Sequence, residues 1–152
     1  MRIEFPTENS QYTWPGGPAT IKSLGFMIPQ YVAAALVNEN QSLVHPASAS
    51  SLPTSADQED FVSMGAWAGA KLRTMIVNAR TVVAIEWIAA GQGLELRRPL
   101  HGGRGSEAAL RALREGVQPW GKDRSPAPDI EWVERALAEG RLVRKVRTDV
   151  PF

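Results

Sequence analysis

DQEDFVSMGAWAGAKLRTMIVNARTVVAIEWIAAGQGLELR, residues 57–97, contains no proline and decides the fold. Read as a helix from Gln58 to about Arg97, its roughly 40 residues at ~1.5 Å rise each make a rod of about 60 Å. Asp57 is a suitable N-cap, and Glu59 and Asp60 fall in the first turn, where the helix dipole favours negative charge. The charges fall on two thin stripes, Arg73, Arg80 and Glu95 on one and Lys71, Glu86 and Arg97 on the other. Val82, Val83, Ile85, Trp87 and Ile88 surround much of the remaining circumference. A helix apolar nearly all round belongs inside a bundle, and the rest of this chain is too short to cover such a rod. Gly65, Ala66, Ala68, Gly69 and Ala70 would let neighbouring helices approach closely.

Upstream, residues 22–43 are also helix-compatible, and LGFMIPQYVAAALV has Gln30 as its one polar side chain. Pro29 removes a backbone donor and should kink or restart this helix near Phe26. The run is too short and too interrupted to span a membrane, so a buried core helix is expected. HPASASSLPTSAD, residues 45–57, connects the two rods; its composition alone fits a flexible linker. Residues 1–21 read as an irregular arm punctuated by Pro6, Pro15, Gly16, Gly17 and Pro18. Downstream, Ser106 is a candidate cap for a short helix ending at Gly116. Asp129 is the candidate cap for another, carrying Ile130, Val133 and Leu137 and ending at Gly140. The tail RLVRKVRTDVPF is basic and is expected to be poorly ordered. The expected class is all-α: two long antiparallel helices over 22–97, then short helices and a basic tail over 98–152.

With 152 residues, 43% hydrophobic and 22% charged, the composition is that of one soluble globular domain. The net charge of +1 gives no reason to expect a nucleic acid or a membrane as partner, and the basic C-terminal end reads as a solvated face. Cysteine is absent, and His45 and His101 are too few and scattered for a zinc site, so no metal is expected. MRIEFPTENSQY has no apolar signal core, which makes a cytoplasmic location the default.

GFMIPQYVAAALVNENQSLVHPASASSLPTSADQEDFVSMG, residues 25–65, resembles the corresponding stretch of histidine ammonia-lyases almost position for position. The shared elements are GFMI, AAAL, NEN, HPAS, PTSA, QED and VSMG. The likeness continues through KLRTMIVNARTVVAIEWIAAGQGLELR and fades after Arg97; APDIEWVERAL is a fainter match to the family's closing segment. The chain is thus similar to the C-terminal part of the aromatic amino acid ammonia-lyases that act on histidine, phenylalanine and tyrosine. This implies the ammonia-lyase-like (fumarase/aspartase-like) helical bundle, with subunits assembled around a tetrameric helical core and sites shared between them.

The resemblance implies elimination of ammonia from an aromatic amino acid to give an α,β-unsaturated acid. That chemistry uses the electrophile methylideneimidazolone, built from an Ala-Ser-Gly tripeptide, and this sequence contains no Ser-Gly pair. The cofactor is therefore expected on a partner chain, a lyase-like large subunit in a hetero-oligomer, and this chain is not expected to act alone. On the resemblance, Glu59 is the candidate catalytic residue, pairing with the substrate's amino group or an imidazole. Met27, Gln58 and Phe61 are candidate substrate-binding residues, with an aromatic amino acid or related small molecule as ligand.

Each assignment has a structural counterpart. Helix N-terminal electrostatics worth ~0.3–1 kcal/mol would account for Glu59 and Asp60. Core packing would account for Met27, and His45 reads as structural. Phe61 stands where the family's histidine-specific members carry histidine, and Trp67 and Trp87 are bulkier than the resemblance leads one to expect. These departures put histidine as substrate in doubt. They leave open a non-catalytic scaffold subunit, or a repurposed enzyme such as an aminomutase or a cyclase.

Overall fold

The computed structural model describes residues 26–49, 51–121 and 124–150. The irregular arm expected over 1–21 lies outside them. Five helices follow in order: α1 (Met27–Leu43), α2 (Gly65–Leu96), α3 (Arg104–Leu113), α4 (Ala127–Ala138) and α5 (Arg141–Asp149). Among the described residues there is no strand, only one isolated antiparallel bridge between Thr54 and Glu59. The protein is all-α.

α1 begins at Met27 with Phe26 at its N-cap, and Pro29 sits buried in the first turn. A proline is tolerated there because first-turn amide groups have no partner within the helix. α1 and α2 run antiparallel, which polar contacts between them establish. Asn40 Nδ2 donates to the Met75 carbonyl at 3.3 Å, and buried Asn78 donates to Glu39 Oε2 at 2.9 Å and Asn40 Oδ1 at 3.0 Å. The Lys71 ammonium donates to the His45 carbonyl beyond the end of α1. Along α2, Met75, Asn78, Val82, Ile85, Ala89 and Gln92 recur every three or four residues, and all are partly or fully buried. That spacing is one face of a helix.

α2 starts at Gly65, seven residues after the expected Gln58, and Asp57 does not cap it. Tertiary hydrogen bonds claim the intervening residues. Thr54 and Glu59 exchange both backbone hydrogen bonds, at 3.1 and 3.3 Å. The Ser51 hydroxyl accepts from Val62 N–H at 2.8 Å and donates to its carbonyl at 3.1 Å, while Ser48 Oγ accepts from Met64 N–H at 3.3 Å. The serines that suggest a flexible linker instead tie the two arms of a folded loop.

The main core lies around the C-terminal half of α2. Ala84 and Ile88 pack with Ala112, Leu113, Val117, Val133, Ala136 and Leu142. Burying a side chain such as Leu113 or Leu142 contributes ~2 kcal/mol. Two expected caps are corrected. α3 starts at Arg104 after Gly103, which puts Ser106 inside it, and α4 starts at Ala127 after Pro126, which puts Asp129 in its first turn. Asp129 is buried, accepting from Trp120 Nε1 at 2.9 Å and pairing with Arg124 at 2.5 Å. α4 gives way at Gly140 as expected, and φ of 65° there is a left-handed conformation that suits glycine.

The tail is also corrected, because Arg141–Asp149 is helical. Leu142 is buried, Lys145 pairs with Glu115, and Arg111 Nη2 lies 3.0 Å from Asp149 Oδ2. The basic side chains point to solvent or to carboxylates, while a short apolar stripe of Leu142 and Val146 faces the core.

Between α2 and α3, Arg98 grips Glu107 through two hydrogen bonds at 3.0 and 2.8 Å, and Gly102 N–H donates to the same carboxylate at 2.8 Å. The Arg98 hydrogen bonds, then the Gly102 amide, hold the Glu107 carboxyl down at about 2, below the ordinary 4.5. A depressed carboxyl stabilises the fold fully above its ordinary value, and that contribution fades as pH falls from 4.5 toward about 2. The Tm gap between wild type and Glu107→Gln should therefore be widest at neutral pH and close near pH 2. A gap independent of pH across that range would show that Glu107 acts only through packing.

Candidate functional site

The loop joining α1 to α2 is a hairpin-like excursion with Glu59 on its returning arm. Its tip turns through Ser55, Ala56 and Asp57, which have φ of 53°, 54° and 63°. Three consecutive left-handed residues without a glycine cost on the order of 1–2 kcal/mol each. The Thr54–Glu59 bridge and the Gln58 N–H to Ser55 carbonyl hydrogen bond, 3.2 Å, close this turn directly above Glu59. Glu59 is therefore held by its own backbone while its side chain stays exposed. Its carboxylate has no ion-pair or hydrogen-bond partner among the described residues.

Gln58 and Phe61 flank it on the same arm, both exposed, with Phe61 at 65%. Met27 does not join them. It is the first residue of α1, partly buried, and the 17 residues of α1 separate it from the loop. At ~1.5 Å per residue that is a distance of roughly 25 Å. One copy of the chain thus brings Gln58, Glu59 and Phe61 together at one end of the helical pair and leaves Met27 at the other. With α2 starting at Gly65, Glu59 and Asp60 are not in a helical first turn, so helix-dipole stabilisation does not account for them.

The surface divides sharply. Every ion pair among the described residues lies within 95–149. The large exposed apolar side chains, apart from Leu100 and Val143, lie between Ile28 and Val83. Tyr31, Val32, Val37, Trp67, Leu72 and Ile76 are among them, each at least 40% exposed. The hairpin of α1, loop and α2 up to Val83 thus presents apolar flanks, whereas the ion pairs among the described residues gather at and beyond the C-terminal end of α2.

A shallow groove of about 310 Å³ between α2 and α3 is lined by Val83, Trp87, Leu94 and Leu110, with Glu86 and Ser106 as its polar members. None of the four candidate residues lines it. Among the described residues, no group of His, Asp and Glu side chains could hold a metal ion. No helix among them is long and apolar enough to cross a membrane. Sequence reasoning missed the cluster of Trp120, Arg124 and Asp129 beside Phe26. The sequence signal for it, WGKDR followed by Asp129, reads locally as a loop and a cap.

The described residues thus form an antiparallel pair of long helices, joined by the loop that carries Glu59, followed by three shorter helices. A sequence model described as aromatic amino acid lyase matches residues 18–115, and the chain belongs to that family. It is 47% identical over 128 residues to the histidine ammonia-lyase of Natranaerobius thermophilus, covering 84% of this chain and 25% of that enzyme. With the Salmonella typhi histidine ammonia-lyase it shares 52% identity over 122 residues, 80% of this chain and 24% of that one. The crystal structure of histidine ammonia-lyase from Trypanosoma cruzi superposes with a TM-score of 0.80 at 41% identity, over 88% of this chain and 27% of that one. Tyrosine aminomutase from Streptomyces globisporus gives a TM-score of 0.79 at 34% identity, over 84% and 24%. The chain spans about a quarter of the length of the curated relatives it matches.

Proposed function

We propose that this chain is the C-terminal, small-subunit part of a split aromatic amino acid ammonia-lyase-like enzyme, lending Glu59 and pocket residues to a composite site. The observation that carries this reading is the divided surface. Apolar side chains from Ile28 to Val83 lie open to solvent, while the ion pairs among the described residues are confined to 95–149. Exposed apolar surface of that extent marks a face made to be covered.

The residues present do not supply the family's electrophile: neither Ala-Ser-Gly nor any Ser-Gly pair occurs in the 152 residues. Methylideneimidazolone would lie on a partner polypeptide. Ammonia elimination breaks a Cα–N and a Cβ–H bond and leaves an α,β-unsaturated acid. In that setting the Glu59 carboxylate accepts charge-assisted hydrogen bonds from the substrate's amino group or ring. Water screens such a pair on an open loop to ~0–1 kcal/mol. Glu59 gains strength only when another chain closes over it and excludes solvent.

The test is co-expression with a lyase-like chain that contains Ala-Ser-Gly, followed by size-exclusion chromatography and assay with L-histidine, L-phenylalanine and L-tyrosine. Co-elution with release of ammonia and an unsaturated acid is expected. Separate elution together with no turnover of any of the three defeats the proposal. The likeness to tyrosine aminomutase favours a second reading, an amino-group shift, which the same assay distinguishes by a β-amino acid product.

A further inference from the structure

Trp120 is held at its backbone amide, its indole nitrogen and its ring face. Its backbone N–H donates to Oε1 of buried Gln92 at 2.8 Å, and its indole N–H donates to buried Asp129 at 2.9 Å. The Arg124 guanidinium lies over its ring at 4.9 Å, itself anchored by Asp129 at 2.5 Å and the Gln118 carbonyl at 2.7 Å. Against this assembly sits Phe26, 4.6 Å between ring centroids and tilted 42°. Phe26 is the N-cap of α1, and Met27 is the first residue of the helix. A residue of the C-terminal part therefore packs against the N-cap of α1.

We propose that Trp120 is a positioning residue, acting through Phe26 to set the placement of Met27 in the substrate pocket; this rests on the composite-site reading given above. An aromatic pair of this kind is worth ~0.5–1.5 kcal/mol beyond its area, and buried hydrogen bonds hold its orientation. Small displacements of a pocket wall weaken substrate binding without touching the bond-breaking groups. The Asp129–Trp120–Phe26 chain is thus a path by which α4 influences specificity.

The test uses the co-expressed complex with L-phenylalanine, L-tyrosine and L-histidine as probes. Trp120→Ala should raise KM for the best of these roughly tenfold with kcat within about twofold. Trp120→Phe, which keeps a ring against Phe26 but loses the indole N–H, should restore most of that loss. In combination with Met27→Ala, Trp120→Ala should add less than about twofold, because both act on the same contact. Multiplicative effects of the two substitutions, or a Trp120→Ala loss that falls on kcat, would overturn the proposal while leaving the composite site standing. A complex inactive as wild type sinks the composite-site reading and this one with it. A Met27→Ala variant with unchanged KM removes Met27 from the pocket and refutes the positioning role, with Glu59 unaffected. Full-chain 19F NMR with fluorophenylalanine guards against misfolding as an explanation. Trp120→Ala should move the Phe26 resonance and leave Phe61 in place, and a stationary Phe26 signal also refutes the inference.

Discussion

On the proposed composite site, Glu59→Gln is expected to lower kcat/KM for an aromatic amino acid roughly 10²-fold, about 2.7 kcal/mol of transition-state stabilisation. Its carboxylate is exposed and without a partner among the described residues, so none of them employs its charge. The backbone beneath it is nevertheless held by the Thr54 bridge and by a turn with three left-handed residues. Strain of that kind persists where surrounding structure enforces it, and here it fixes the direction of one acidic arm. Glutamine keeps the shape and loses the charge. Removing one member of a desolvated charge pair costs ~2–5 kcal/mol, whereas a solvated carboxylate on a loop contributes under ~0.5 kcal/mol to stability. The variant should therefore keep the wild-type Tm and lose activity. Unchanged activity in the complex would instead make this chain a scaffold, its hairpin serving assembly alone.

Gly116→Ala should cost ~3 kcal/mol of stability, a fall in Tm of roughly 10 °C. A Cβ built on Gly116 would overlap three atoms of the Trp132 indole, a rigid ring that cannot fold out of the way. Arg141 lies over the same indole at 5.0 Å, so displacing it disturbs the junction of α4 and α5 as well. Gly93 provides the contrast: it lies within α2, and an added Cβ there meets nothing within 4 Å. Gly93→Ala should stabilise by ~0.5–1 kcal/mol through helix propensity and the loss of unfolded-chain freedom. Thermal melts of the two variants decide the matter. Equal shifts would mean that Trp132 does not pack on Gly116.

The long helices were legible because their signals are local and repeated. Pro29 near the start of α1, the proline-free run to Arg97 and the wide apolar faces between two charged stripes all agree with the helices observed. The start of α2 was not legible. Asp57 with Glu59 and Asp60 has the composition of a capped first turn, but Thr54 captures the backbone groups of Glu59, and Ser51, further back along the chain, captures the Val62 amide. α5 was hidden for a related reason. Nine residues rich in arginine make no persuasive helix alone, and it is Leu142 in the core and Lys145 against Glu115 that fold it.

The layout of the candidate residues was not legible in the sequence. Glu59, Gln58 and Phe61 stand on one loop arm, while Met27 is removed by the length of α1. Sequence by itself determined the class of fold, the pair of rods and the family, since these follow from side-chain periodicity and from residues quoted in order. Only the tertiary structure decided where the helices begin, which serines organise the loop, and that Trp120 and Asp129 reach Phe26. The physical reason is range. Periodicity is written into neighbours three or four residues apart, whereas a hydrogen bond from Ser51 to Val62 or a tilted ring contact from Phe26 to Trp120 exists only once the chain has folded back on itself.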